Sequence, residues 1–351
     1  MLRSLVGSEM CIRDRNMMLW QEAPSGYTSV GASDRYINDG WKFASGGLSS
    51  GRCSIQPDSN NNAPPGKSMK VSCTTAQSSI GMSDYVHVNA RIEGFDLAVL
   101  GYGTPAAVSS NLSMRINCVG HTGTYTFFVW VSDGTNIYAY KFKRTLSSGW
   151  NYIQQTIPAF TAFQPPLDSS VRGIVGVVLA AGSGLTDTSE EAWTDYSSGF
   201  MLGLSGQNNF FSSTSNRIDI ASVQWTPGPY PLPFLDRSIL ETLAIAQRYY
   251  EKSYDLGTAP GSATYGGAVM TSLKTGGFVP GTRFSVRKRV APTITIYSPG
   301  NGASGNVYNV TAGANAAHGT VAVGQTGIDY TSCSGTVHDV ITFHWVADAR
   351  L

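Results

Sequence analysis

Residues 85–92, YVHVNARI, decide the fold class of this chain. Apolar side chains alternate in them with polar or aromatic ones, in the order Tyr85, Val86, His87, Val88, Asn89, Ala90, Arg91 and Ile92. A period of two residues is typical of a β-strand that has one face in the core and the other toward water. The stretch therefore predicts one strand of a half-buried sheet.

More strands are predicted on both sides of it. Runs of β-branched and aromatic residues, bounded by Gly, Pro, Asn or Ser, occur at residues 68–73, 111–118, 124–131, 137–143, 150–157, 171–180 and 217–225. Residues 132–135, SDGT, join two of these runs, and Asp-Gly is a strong signal for a short hairpin turn. Many strands at this spacing predict a jelly-roll-like β-sandwich over residues 17–227.

A hinge and a single helix are predicted to follow, over residues 228–254. Residues 226–233, TPGPYPLP, contain four prolines, which remove backbone donors and stiffen the chain. Ser238 and Glu241 have the spacing of a helix capping box. From there a helix is predicted to about residue 254. Its packing face is either the stripe of Leu240, Leu243, Ala244, Gln247 and Tyr250 or the stripe next to it.

Residues 255–351 return to β character, most clearly at 293–297 and 341–347, and predict a smaller C-terminal β domain. The predicted fold is thus all-β: a jelly-roll-like β-sandwich followed by one helix and a smaller C-terminal β domain. A length of 351 residues suits two domains, because single cores rarely grow beyond about 250 residues.

Composition excludes several partners. The net charge is +1 and charged residues make up 13% of the chain, so no strong field is available to attract nucleic acid. No apolar stretch approaches the roughly 18 to 20 residues that a membrane span requires, so no membrane insertion is expected. The five cysteines have no Cys-x-x-Cys spacing, and we expect free buried thiols, although Cys53 and Cys73 could pair if their strands are neighbours.

Residues 1–16 differ from the rest of the chain. Residues 1–15, MLRSLVGSEMCIRDR, resemble the translated adapter sequence found at the ends of environmental gene fragments, and they fit a secretory signal badly. We expect residues 1–16 to be a non-native or unstructured leader, in which case the natural protein extends further upstream.

The histidines indicate neither a catalytic nor a metal site, because all five are scattered singly, without metal-ligand spacing. Acidic residues cluster in one polar loop at Asp187, Glu190, Glu191 and Asp195. A pair of them could in principle serve a glycosidase, but solvated loop carboxylates are the simpler interpretation. A structural Ca²⁺ held by Asp187, Glu190 and Asp195 is the one cofactor that the sequence leaves open.

Aromatic and amide side chains indicate binding instead, because sugars stack on aromatic rings and hydrogen-bond to neighbouring amides. Trp193 and Tyr196 lie in the polar loop, and packing in a hydrophobic core accounts for their presence less well than for that of the other aromatic residues. In the C-terminal domain, Gly- and Asn-rich segments predict exposed loop tips, where recognition often occurs. The candidate ligand-binding residues there are Asn301, Asn306, Asn309, Asn315 and His318.

Two segments resemble a module of bacteriophage tail-fibre proteins. Residues 85–104, YVHVNARIEGFDLAVLGYGT, are similar to its "IEG-D-L-GT" pattern, and residues 239–252, ILETLAIAQRYYEK, are similar to its "LA-CQRYYEK" helix, with Ala246 in place of Cys. Residues 284–297 and 343–351 also resemble the terminal domain of such fibres.

This resemblance implies a protein of the virion tail, made in the bacterial host cytoplasm. It would be a homotrimer that contacts other virion tail proteins and attaches to a host cell-surface glycan or receptor, with residues 255–351 as the fibre tip. The family has no generally assigned catalytic residues, so no enzyme activity is expected. Two alternatives stay open: a non-binding virion scaffold or spacer, and a carbohydrate-binding module of a larger glycan-active enzyme.

Overall fold

The computed structural model describes residues 17–58, 67–199, 201–234 and 236–351, and the expectation for residues 1–16 lies outside this part. The all-β prediction is confirmed. The chain divides into two compact units: Ser25–Asp236 with the described residues up to Met18, and Arg237–Leu351 with Leu19–Pro24. The division falls after the Pro-rich segment, so the helix belongs to the second unit.

The first unit contains fifteen of the described strands and one short helix. They are β1 Tyr27–Val30, β2 Arg35–Tyr36, β3 Trp41–Gly46, β4 Arg52–Asp58, β5 Ser68–Thr75, β6 Tyr85–Glu93, α1 Gly94–Leu97, β7 Ser110–Val119, β8 Gly123–Ser132, β9 Ile137–Leu146, β10 Gly149–Ile157, β11 Val171–Ala181, β12 Thr186–Asp187, β13 Trp193–Asp195, β14 Gly203–Leu204 and β15 Arg217–Pro227.

These strands form a sandwich of two antiparallel sheets. One sheet has the order β1-β4-β5-β15-β7-β10 and the other β13-β9-β8-β11-β6-β3-β2, while β12 and β14 form a separate parallel pair. The core lies between the two sheets, because the alternating apolar residues of each strand point inward. Its largest fully buried side chains include Trp41, Phe127 and Phe142 from the second sheet and Trp225 from the first.

The predicted hairpin between residues 132 and 135 is confirmed, since β8 and β9 pair along their whole length. Asp133 accepts hydrogen bonds from the backbone N–H groups of Thr135 (2.8 Å) and Asn136 (2.7 Å). Gly134 has a φ of 105°, which a residue without Cβ adopts readily. Local turn chemistry therefore brings the two most aromatic strands side by side.

The second unit contains one helix and eight described strands: α2 Ile239–Gln247, β16 Tyr250–Lys252, β17 Val269–Ser272, β18 Phe278–Arg283, β19 Thr293–Tyr297, β20 Asn306–Asn309, β21 Ala314–Gly324, β22 Gly327–Cys333 and β23 Val340–Asp348. Strand β23 is central: its first half pairs with β17 and β20, and its second half pairs with β16 and β19. Its inward side chains Ile341, Phe343 and Trp345 build the core of the unit.

The capping box of α2 is confirmed, with Ser238 and Glu241 each bonding the other's backbone N–H. The helix is shorter than predicted, because Tyr250–Lys252 pairs with β23 instead of continuing it. The buried face of the helix is not the stripe that contains Leu240. Thr242 and Ala246 are buried, whereas Leu240 is 74% exposed. None of the helices in the described part of the chain has the length and apolar character needed to cross a membrane.

The four cysteines in the described part of the chain are free and buried, as predicted. Cys53 and Cys73 lie directly opposite each other on β4 and β5. Burial raises the pKa of both thiols, which keeps them protonated and unreactive.

Candidate functional site

The outer face of the seven-stranded sheet is the candidate site. The strand register places three rows of side chains across it: Lys42, Asn89, Gly176, Phe128 and Lys141 in the middle row, Arg91, Ile174 and Trp130 on one side, and Ala44, His87, Val178 and Thr126 on the other. These positions alternate with the core residues of the same strands, so their side chains point away from the sandwich interior.

A loop that contains Leu202, Leu204 and Gln207 covers one part of this face, and we call it the covering loop. Leu202 packs on Phe128 and Val178 there, and all three are buried. Thr126 fastens the loop by accepting a hydrogen bond from the backbone N–H of Leu204 (3.0 Å) and donating one to the Gln207 side chain (2.5 Å). The rest of this face is not covered by Leu202.

Lys141 is the main anchor of the covering loop. It is fully buried, and its ammonium group donates to Asp187 Oδ1 (2.8 Å) and to the backbone oxygens of Met201 (2.8 Å) and Gly203 (3.3 Å). The ammonium group also lies 4.5 Å from the centre of the Tyr196 ring. All three of its N–H groups thus have acceptors, as a buried charge requires.

Five side chains remain partly exposed beside the loop: Tyr85, His87, Arg91, Ile174 and Trp130. We call this set the open face. The ring of Phe128 lies next to this set but is buried under Leu202, and it packs closely against Gly176 of the neighbouring strand. A Cβ on Gly176 would lie 2.8 Å from the Phe128 ring and 2.6 Å from the carbonyl oxygen of Val88.

His87 lies between the rings of Tyr85 and Phe128, with centroids 5.9 and 5.6 Å away. The carboxamide nitrogen of Asn89 is 3.1 Å from its Nδ1. An amide nitrogen can only donate, so Nδ1 accepts and the ring proton is on Nε2. Burial lowers the pKa of His87 to about 4, so the neutral ring is the form present at pH 7.

Charged groups beside the open face are paired. Lys42 forms a 2.8 Å ion pair with Asp34, and Arg172 forms a 2.6 Å ion pair with Asp168. The opposing charges largely cancel at a distance. The open face therefore offers rings, apolar surface and hydrogen-bonding groups, with the guanidinium of Arg91 as its charged member.

The two polar-loop aromatic residues predicted to bind ligand both have packing contacts within the protein. Trp193 lies on the edge strand β13, its ring 4.9 Å from that of Phe160 and 5.8 Å from that of Tyr140, and its Nε1 donates to the carbonyl of Pro158. Tyr196 is 5% exposed and donates a 2.5 Å hydrogen bond to Asp187. We place both residues in the support of the covering loop.

The acidic residues proposed for calcium have protein partners. Asp187 pairs with Lys141, Glu190 accepts from the backbone and ammonium group of Lys143, and Asp195 accepts from Ser197. In the part of the chain that the structure describes, no three or more His, Cys, Asp and Glu side chains are grouped to hold a metal ion. Two of the three carboxylates, Asp187 and Glu190, are thus paired with basic side chains of β9, and Asp195 is bonded within its own turn.

The predicted residues of the second unit separate into buried and exposed ones. Asn309 is 4% exposed and donates to Asp339 (2.7 Å), and Asn306 bonds its own turn at Ser304. His318 is partly exposed and contacts the carbonyl of Gly319 (2.9 Å). Two others meet although they come from different loops: Asn301 and Asn315 are both exposed and hydrogen-bonded to each other.

Sequence reasoning did not select the open face, although its signals were present. The alternation in residues 85–92 marks Tyr85, His87 and Arg91 as outward, and the same period in β8 marks Trp130. Ile174 gave no such signal, because β11 is a nearly continuous apolar run.

Comparisons with known proteins give distant structural similarities. Neither a protein-family model nor a curated protein matches the sequence. A solved family 11 carbohydrate-binding module from Clostridium thermocellum, in complex with a β-1,3-1,4-mixed-linked tetrasaccharide, is 13% identical and covers 59% of this chain and 99% of its own, with a TM-score of 0.30. The CBM22-1 xylan-binding domain of Paenibacillus barcinonensis Xyn10C is 8% identical, covers 59% and 100%, and has a TM-score of 0.26. The enzymatically active domain of tailspike protein 4 from bacteriophage CBA120 is 11% identical, covers 54% and 19%, and has a TM-score of 0.29.

Proposed function

We propose that this chain is a non-catalytic protein that binds a glycan on its open face. The observation that supports this most directly is the group of side chains beside the covering loop, Tyr85, His87, Arg91, Ile174 and Trp130, all of which are partly exposed. Partly exposed rings on the outer face of a sheet suit a ligand with apolar faces.

The chemistry of the open face fits a sugar chain. The C–H faces of a sugar pack on rings such as Tyr85 and Trp130, while its hydroxyl oxygens accept hydrogen bonds from His87 Nε2–H and the guanidinium of Arg91. Tyr85 and Trp130 lie two strands apart, about 10 Å, and are offset by three side-chain rows along the strands, about 20 Å. We therefore expect an oligosaccharide of several residues rather than a single sugar.

We further propose that this binding attaches a bacteriophage tail fibre to its host. The resemblance of residues 85–104 and 239–252 to tail-fibre modules supports this role. Such a protein belongs to the virion tail, contacts other tail proteins and acts as a homotrimer, which raises its affinity for a repetitive surface. The exposed side chains of Ile239 and Leu240 on α2 are available for contacts between protomers.

The test is a cell-binding measurement with the whole chain. Labelled protein is incubated with a panel of bacterial strains whose surface polysaccharide is intact or has been stripped, and light scattering shows whether its mass is that of three 37.4 kDa chains. For the strain that binds best, Trp130→Ala is expected to weaken binding about tenfold or more, which corresponds to about 1.4 kcal/mol. Tyr152→Ala is the matched control, because Tyr152 is 57% exposed on the other sheet.

Binding that is lost on stripping and lost in Trp130→Ala supports the proposal. Saturable binding that survives stripping points to a protein receptor, and equal binding by Trp130→Ala and the unmodified chain removes the open face as the site. A folded chain that binds none of the strains favours the scaffold role.

A further inference from the structure

The second unit has its own cluster of exposed aromatic and amide groups. Cross-strand pairing places four side chains in one row on the same face of β17, β23, β20 and β21: Met270, Thr342, Tyr308 and Asn315. The ring of Tyr265 stands beside this row, 6.1 Å from the ring of Tyr308 and at 79° to it. Tyr265 is 53% exposed and Met270 is 64% exposed, so this end of the row is open to solvent.

Two carboxamide groups are held in place next to these rings. Asn315 accepts a hydrogen bond from the buried hydroxyl of Ser298 (2.6 Å) and donates one to Asn301 Oδ1 (2.9 Å). Asn301 Oδ1 also accepts from the backbone N–H of Ala303 (3.1 Å). This network fixes which atom of each amide is the oxygen.

The network leaves donors unused. Asn301 Nδ2 has two N–H groups and Asn315 Nδ2 has one for which no acceptor exists among the described residues, and both side chains are exposed. The ring of Tyr308 lies against Gly300, where an added Cβ would be 2.7 Å from the ring. Tyr308 and Asn315 face each other across β20 and β21, so ring and amides lie side by side.

The loops that present these groups are closely packed. Gly302 has a φ of 74°, and a Cβ there would lie 1.9 Å from the carbonyl oxygen of Gly261. The backbone N–H of Gly261 donates to the hydroxyl of Tyr254 (3.1 Å), whose ring is stacked on His344 at 3.7 Å. Because the two loops pack without room for a side chain at Gly302, the loop that carries Asn301 is held in place before a ligand arrives. A donor held in this way loses less entropy on binding.

We infer that Tyr265, Tyr308, Asn301 and Asn315 form a second saccharide site, which we call the tip site. The rings offer surface to the C–H face of a sugar, and the three unused N–H groups suit its hydroxyl or acetamido oxygens. None of the four side chains is charged, so the ligand class is a neutral saccharide. The tip site lies in the second unit and the open face in the first, so the two sites share no residue.

Saturation-transfer NMR on the whole chain tests the inference. The probes are the methyl glycosides of glucose, galactose and N-acetylglucosamine. Trp130→Ala, which disables the open face, is expected to retain saturation transfer to at least one probe. In that background, adding Tyr265→Ala or Asn301→Asp is expected to reduce the transfer about fivefold or more, equal to about 1 kcal/mol.

Asn301→Asp keeps the acceptor for Ala303 and Asn315, and it replaces the two unused donors with a negatively charged carboxylate oxygen. Tyr230→Ala is the control: Tyr230 is 77% exposed in the first unit and its loss should change nothing. The inference is overturned if no probe shows transfer, if Trp130→Ala alone abolishes it, or if a folded Tyr265→Ala variant retains it in full.

Discussion

Lys141→Met tests whether one buried ammonium group supports the covering loop beside the open face. Methionine keeps the length of the side chain and removes its charge and its three N–H groups. Asp187 then loses its ion pair, and the carbonyls of Met201 and Gly203 lose their donor. The ring of Tyr196 also loses the cation above it.

The expected cost follows from the environment of the partner. Removing one member of a fully buried ion pair costs about 3 to 5 kcal/mol. The Asp187 side chain is 18% exposed and keeps its hydrogen bonds from Tyr196 and from the backbone of Ser189, so water and these donors recover part of that. We expect a loss of about 3 kcal/mol, which lowers the Tm of a unit of this size by about 6 to 12 °C.

Lys143→Met is the matched control, two residues further along β9. Lys143 is 28% exposed, its ion pair with Glu190 is 3.4 Å long, and such surface pairs contribute less than about 1 kcal/mol. Calorimetry of Lys141→Met, of Asp187→Asn and of the two combined gives the coupling energy between Lys141 and Asp187, and Lys143→Met is measured beside them. If Lys141→Met shifts Tm no more than Lys143→Met does, or if the double variant is no more stable than Lys141→Met alone, the anchor is not Lys141.

Two further predictions concern the open face. Between pH 6.5 and about 4 the unfolded chain binds a proton at His87 that the folded chain does not, because burial lowers the pKa of His87. The free energy of unfolding should therefore decrease as the pH is lowered from 6.5 to about 4, by up to about 3 kcal/mol. His87→Gln should flatten the denaturation profile in this window relative to the unmodified chain, and equal slopes would contradict the burial. Gly176→Ala should cost about 1 to 3 kcal/mol, because its Cβ meets the Val88 carbonyl and the Phe128 ring. An unchanged urea midpoint would show that the ring can move aside.

The strands and turns were predictable because their signals are local. Apolar residues recur at every second position in residues 85–92, which predicts a strand. Asp133 and Gly134 specify a turn within four residues, and Ser238 with Glu241 marks a helix start. The end of that helix was not predictable from its own residues. Tyr250–Lys252 has a helical continuation available, and pairing with β23, almost a hundred residues away, decides against it.

The sequence by itself determined the strands that carry a clear local signal, and in strands of period two, such as β6, it also determined which side faces the core. Only the tertiary structure decided that β11 inserts between β6 and β8, and thereby that Tyr85, His87 and Trp130 share one face with Ile174. It also decided that Tyr196 is buried, because Lys141 draws the loop onto the sheet. A two-residue period specifies which way a side chain points but not which strand lies next to it. That neighbour is set by long-range packing and by the free energy of satisfying buried polar groups, neither of which appears in any local stretch of the chain.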